Sequence, residues 1–168
     1  MMQELKYLKG YADDLTGQVR GMITAKQLGV FLLKKYPTAH SIRTDKMLYD
    51  YVMRIKNDYM RKSQPLSKII YDSKIKRSEQ ALGLHTFVSR VQGKKLKAKN
   101  EIRVASVFKN GPEQLLKMIV VHELAHLKEK DHNKAFYKLC KHMEPAYHQL
   151  EFDTRLYMTH LDIFGDLY

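Results

Sequence analysis

The chain has 168 residues, with 30 Lys and Arg against 18 Asp and Glu, for a formal net charge of +12. That length is most simply one domain, 1–168, large enough for a real core and tight for two. No apolar run nears the roughly 18 residues of a membrane span, and a single cysteine, Cys140, rules out an intramolecular disulfide framework.

The stretch Met1–Tyr7 lacks the charged, apolar and cleavage regions of a signal peptide, so a cytoplasmic protein without a membrane partner is expected. From Asp13 to Tyr36, apolar residues recur at helical intervals (Leu15, Val19, Ile23, Leu28, Phe31, Leu32), which predicts a helix ended by Pro37. Thr44-Asp45 caps a second helix through Leu48, Val52, Ile55 and Tyr59 before Pro65. The helical part thus covers 1–64.

Between 65 and 110 the pattern changes. Leu66–Tyr71, Lys74–Arg77, Leu84–Arg90 and Glu101–Phe108 alternate or carry β-branched residues, separated by turn-prone Asp72-Ser73 and Gly93. A small, mainly antiparallel sheet is expected, in which His85 is a hydrogen-bonded sheet residue. The densest basic run, Lys94–Lys99, has no aromatic residues to stack on bases and reads as a solvated loop or hairpin. Nucleic acid remains a partner that the charge would attract, although no zinc-finger or helix-turn-helix signature accompanies it.

The part from 111 to 168 carries the chemistry. Gly111-Pro112-Glu113 opens an apolar helix that runs into His122-Glu123-Leu124-Ala125-His126, an H-E-x-x-H motif. Residues four apart share a helix face, so both imidazoles can hold one metal ion. Glu123 lies about 100° further round, placed to act on water rather than on the metal. Zinc lowers the pKa of a bound water to about 7, and the carboxylate can take its proton as general base.

A catalytic zinc site keeps three protein ligands and leaves one position open. His132 is the candidate third ligand. On a continuous helix it would face about 240° away from His126, so the helix must end between them, within Lys128–Asp131. Asn133 then caps a second helix, Lys134–Met143, which Pro145 halts, and the chain is helical again through Leu161. Glu144 and Glu151 are rivals for the third position. Cys140 follows the apolar pattern of Phe136 and Leu139 and reads as core packing. Tyr147 is a candidate hydrogen-bond donor to a developing oxyanion; Arg155 and His148 are weaker candidates of the same kind.

The segment Met118–Phe136, with Met143-Glu-Pro-Ala-Tyr147, Tyr7–Tyr11, Ala81–Gly93 and Leu150–Leu156, resembles the YgjP-like family of zinc metallohydrolases, itself distantly similar to SprT-like and Wss-type zinc peptidases. The resemblance implies a zincin-like α+β fold: N-terminal helices, a small sheet, the H-E-x-x-H helix and C-terminal helices. It also implies His122, His126 and His132 as ligands and Glu123 as base. The Trp-containing segment of the broader family has no counterpart, since the chain has no Trp.

The expected activity is zinc-dependent hydrolysis, with peptide cleavage first. Ile102–Phe108 would be the edge strand that pairs with an extended substrate. The alternative implied by the resemblance is a nucleoside-triphosphate pyrophosphatase acting on UTP, with Mg²⁺ beside the phosphates. Ni²⁺ or Mn²⁺ could replace zinc at the histidines. A metal-stabilised module associated with nucleic acid is the non-enzymatic alternative.

Overall fold

Apolar side chains at helical spacing build the N-terminal third, but as two helices rather than one. In the computed structural model, which describes residues 5–75, 91–92, 95–96 and 100–168, α1 spans Asp13–Thr24 and α2 spans Leu28–Lys35. The expected continuous helix breaks at Lys26, whose φ is +56°. Gln27 N–H donates to the Met22 carbonyl (2.8 Å) and Lys26 N–H to that of Ile23 (3.0 Å). This pair of bonds closes a helix through a left-handed residue, a position usually held by Gly and here by Lys.

Helix α3, Asp45–Tyr59, starts as its sequence indicates. The Thr44 hydroxyl accepts from Met47 N–H at 3.1 Å, and Leu48, Val52 and Ile55 form its buried stripe.

The sheet departs from expectation in direction. Strand β1 (Leu66–Asp72) pairs parallel with the later strand Asn100–Ala105, with Ile69 opposite Ile102 and Tyr71 opposite Val104. Alternation has the same period in both pairings, so it could not choose between them. A parallel pair needs a long crossover, and the residues from 73 to 99 supply it. Within that crossover β2 (Val91–Gln92) and β3 (Lys95–Leu96) form a short antiparallel ladder, consistent with a hairpin in the basic run. The expected strand over 84–90, His85, residues 76–77 of the expected strand Lys74–Arg77 and the rest of the basic run lie outside the described residues.

The later strand, β4, ends at Ala105, short of the expected Phe108. A 3-10 turn, Ser106–Asn110, follows and buries Phe108. Helix α4, Glu113–Ala125, then runs through the middle of the molecule, packed by α3, β4 and the two helices that follow, α5 (Lys134–Met143) and α6 (Tyr147–Phe164). It is buried on nearly every side, from Leu115 to Ala125 with Lys117 the exception, as a central helix without a solvent face must be. No helix among the described residues is long and apolar enough to cross a membrane.

Candidate metal centre

The buried end of α4 carries the polar groups. His122 and Glu123 lie in its last turn and His126 is its C-cap; all three are buried. The chain tightens immediately afterwards, with Lys128 and Glu129 N–H both donating to the Ala125 carbonyl. It then turns through Lys130–His132 into α5. Asn133 caps α5 by accepting from Phe136 N–H at 2.8 Å, and its amide donates to the Glu129 carboxylate at 3.2 Å. This closed turn swings His132 back over the end of α4.

Three imidazoles converge there. The Nε2 atoms of His126 and His122 are 3.2 Å apart, those of His126 and His132 3.1 Å, and those of His132 and His122 3.3 Å. Two nitrogens bound to one tetrahedral ion at about 2.0–2.1 Å lie about 3.3–3.4 Å apart, so the separations fit a shared divalent metal. The chemistry of the donors fits too. His126 Nδ1 is 2.8 Å from the Glu129 carbonyl, which only accepts, so that nitrogen carries the proton. A neutral His126 therefore aims its Nε2 lone pair at the other two rings. Among the described residues these three are the one group able to gather His, Cys or carboxylate donors around an ion.

Phe136 forms the floor. It is fully buried, with its ring centroid 5.0, 4.5 and 4.9 Å from those of His122, His126 and His132. Behind His122 stands Tyr147, whose hydroxyl is 2.7 Å from Nδ1, the ring nitrogen turned away from the other histidines. Burial and the nearby Glu151 carboxylate push the ionisation of this phenol far above its ordinary range, so it is a neutral hydroxyl. Burial likewise pushes the Cys140 thiol up to about 12, leaving it a packed, uncharged side chain.

The other sequence candidates are engaged elsewhere. Glu144 pairs with Lys117 at 2.6 Å and accepts from Ala146 N–H at 3.2 Å. Its burial works against ionisation, but these partners hold its carboxyl below the usual range. Glu151 faces Arg155 at 3.8 Å. Arg155 donates to the Tyr7 carbonyl at 2.9 Å and lies over the Tyr11 ring. His148 packs between Tyr137 and Tyr147. Three cations, Lys128, Lys130 and Lys134, are exposed on either side of His132 in the chain.

Two contributors escaped the sequence reading: Phe136 as floor and the Glu129 carbonyl as proton acceptor. The apolar spacing of α5 marked Phe136 as core. Nothing in sequence marks a carbonyl.

The family described as YgjP-like, metallopeptidase domain, matches residues 48–154. The chain is 60% identical over 162 residues to the UTP pyrophosphatase of Escherichia coli (strain K12), covering 96% of this chain and 97% of that protein. No solved structure matches it.

Proposed function

The chain belongs to the YgjP-like family, and we propose that it is a metal-dependent hydrolase that cleaves UTP to UMP and pyrophosphate. The observation that carries the hydrolase reading is the convergence of three Nε2 atoms within 3.1–3.3 Å beside the buried Glu123. The substrate reading is supported by the relative named UTP pyrophosphatase, similar over nearly the whole of both chains. It also suits a protein with a net charge of +12 and a polyanionic substrate.

In this reading His122, His126 and His132 hold the metal. Zn²⁺ is the first choice for three imidazoles, with Ni²⁺ and Mn²⁺ able to occupy the same donors and Mg²⁺ accompanying the phosphates. A bound divalent ion would supply Lewis acidity, activating water and drawing charge from a phosphoryl oxygen. Glu123 removes the proton of the attacking water. The new bond forms from water oxygen to the α-phosphorus; the bond from that phosphorus to its bridging oxygen breaks, and pyrophosphate leaves with the electron pair. Lys128, Lys130 and Lys134 are placed along the chain to attract the triphosphate. Phe136 closes the site from below.

Peptide hydrolysis is the second reading, supported by the family description and by the motif itself. The sequence put it first; the relative's activity reverses the order. The deciding experiment offers metal-loaded wild type and Glu123→Gln both UTP and a peptide library. The amide keeps the shape but cannot take a proton, so pyrophosphate release should fall at least about 100-fold with the metal retained. Peptide fragments that depend on Glu123, without pyrophosphate, would reverse the assignment.

A further inference from the structure

We propose that Tyr147 is a positioning residue for His122, accepting its Nδ1–H while its own hydroxyl hydrogen points toward Glu151, and that it does not meet the substrate. The inference rests on the metal reading of the three histidines and deepens it.

The geometry separates two roles for a phenol near a metal. A group that donates to a developing oxyanion must reach the open face of the site. Tyr147 has 0% of its surface exposed. Its hydroxyl contacts the nitrogen of His122 opposite the one that faces His126 and His132. The two rings lie nearly parallel, 21° apart with centroids 6.4 Å from each other, so they meet edge to edge along the hydrogen bond. That is the arrangement of an outer partner that fixes a ligand's rotamer and tautomer.

Proton bookkeeping gives the direction. For His122 to offer a lone pair at Nε2, its proton must sit on Nδ1. The phenol oxygen is then the acceptor, and the hydroxyl hydrogen must point elsewhere. Glu151 is one turn further along α6, on the same face, which makes it the carboxylate available to that hydrogen. A carboxylate is a stronger acceptor than a thiol such as that of buried Cys140. His126 gets the equivalent service from the Glu129 carbonyl. One ligand is thus oriented by backbone and the other by a side chain from a different helix, which ties α6 to the metal.

The test measures zinc affinity by chelator competition in wild type, Tyr147→Phe and Glu151→Gln, with the melting temperature of each metal-free protein. The Phe variant should bind zinc about 10–100-fold more weakly, and the Gln variant should shift affinity the same way by less. Excess zinc should restore the Phe variant's hydrolysis toward the wild-type rate. An oxyanion donor predicts the reverse: affinity intact and activity lost at every zinc concentration. Unchanged affinity in the Phe variant overturns the proposal while leaving the metal reading in place; a wild type that takes up no divalent metal overturns both. Should the Phe variant fail to fold, ¹⁵N shifts of His122 in zinc-loaded wild type decide. Protonated Nδ1 in a hydrogen bond supports the proposal, and a proton on Nε2 overturns it.

Discussion

Helix α6 buries polar side chains along its length, and it holds Tyr147 and Asp153 differently from His160. In the first half Tyr147 and Asp153 are paired with residues of other elements. Tyr147 meets His122, and Asp153, with no exposed surface, accepts from Lys35 at 2.6 Å, from Gln149 at 2.9 Å and from the Tyr36 hydroxyl. In the second half His160 is buried with no hydrogen-bond partner for Nδ1 among the described residues. It packs by shape instead, its ring 5.2 Å from that of Phe164 and its edge over Gly29. A neutral imidazole with one unmet nitrogen costs about 1–3 kcal/mol; an unpaired buried carboxylate costs far more. Toward the three histidines α6 therefore uses two separate hydrogen-bonded groups, Tyr147 with α4 and Asp153 with the end of α2. His160, further along, is held by close approach and leaves Nδ1 unpaired.

The sharpest way to break this contrast is Asp153→Ala. It strands the buried Tyr36 hydroxyl and removes the counter-charge of Lys35. Breaking a buried pair costs about 3–5 kcal/mol, but the Lys35 side chain is 37% exposed and can rehydrate, so about 2–3 kcal/mol is expected. Urea denaturation measures it. A loss below about 1 kcal/mol would mean that the network is incidental to stability.

Gly29→Ala probes the other half and should cost less. Its Cβ would lie 2.7 Å from His160 Cε1 and 3.3 Å from Leu167 Cδ1, so the imidazole must move. Overpacking of this kind costs about 1–3 kcal/mol, against about 1 kcal/mol that Ala gains over Gly inside a helix. A net loss near 1 kcal/mol is expected. It should vanish when His160→Ala is added, since the two changes share one contact. A loss that persists in the double variant would place the conflict elsewhere.

What sequence could reveal follows the same division between local and distant causes. Thr44 and Asn133 announce helices because a capping hydroxyl or amide acts within three residues. His122 and His126 come together because four residues make one helical turn. His132 was reachable by asking where α4 must stop. The parallel pairing of β1 and β4 was not, since residues over thirty apart decide it and the side-chain period is the same either way. The break at Lys26 was invisible because the left-handed residue is not Gly. Tyr147 was marked as a polar aromatic near the site, yet its partner lies 25 positions earlier. Its candidacy as an oxyanion donor rests on residue type and chain position alone, which do not disclose a partner so distant in sequence.

The smallest effect belongs to His160 itself and appears as a pH dependence. Burial lowers its pKa from the ordinary value of 6.5. Between the unfolded value and the lowered folded one, the unfolded chain binds the proton more readily, so stability rises with pH there. His160 therefore costs nothing extra above about pH 6.5, and it erodes stability as the pH falls through that window. Comparing wild type with His160→Leu at fixed metal content isolates the contribution. The difference in melting temperature should be constant above neutrality and move in the variant's favour on acidification. Carboxylates such as Glu144, held below the usual range by Lys117 and the Ala146 N–H against the pull of burial, lose their contribution only at lower pH. The two windows are separable in one titration. A difference that stays flat from pH 8 to pH 4.5 would show that the imidazole finds water or a partner when it protonates, and the second half of α6 would then be no less satisfied than the first.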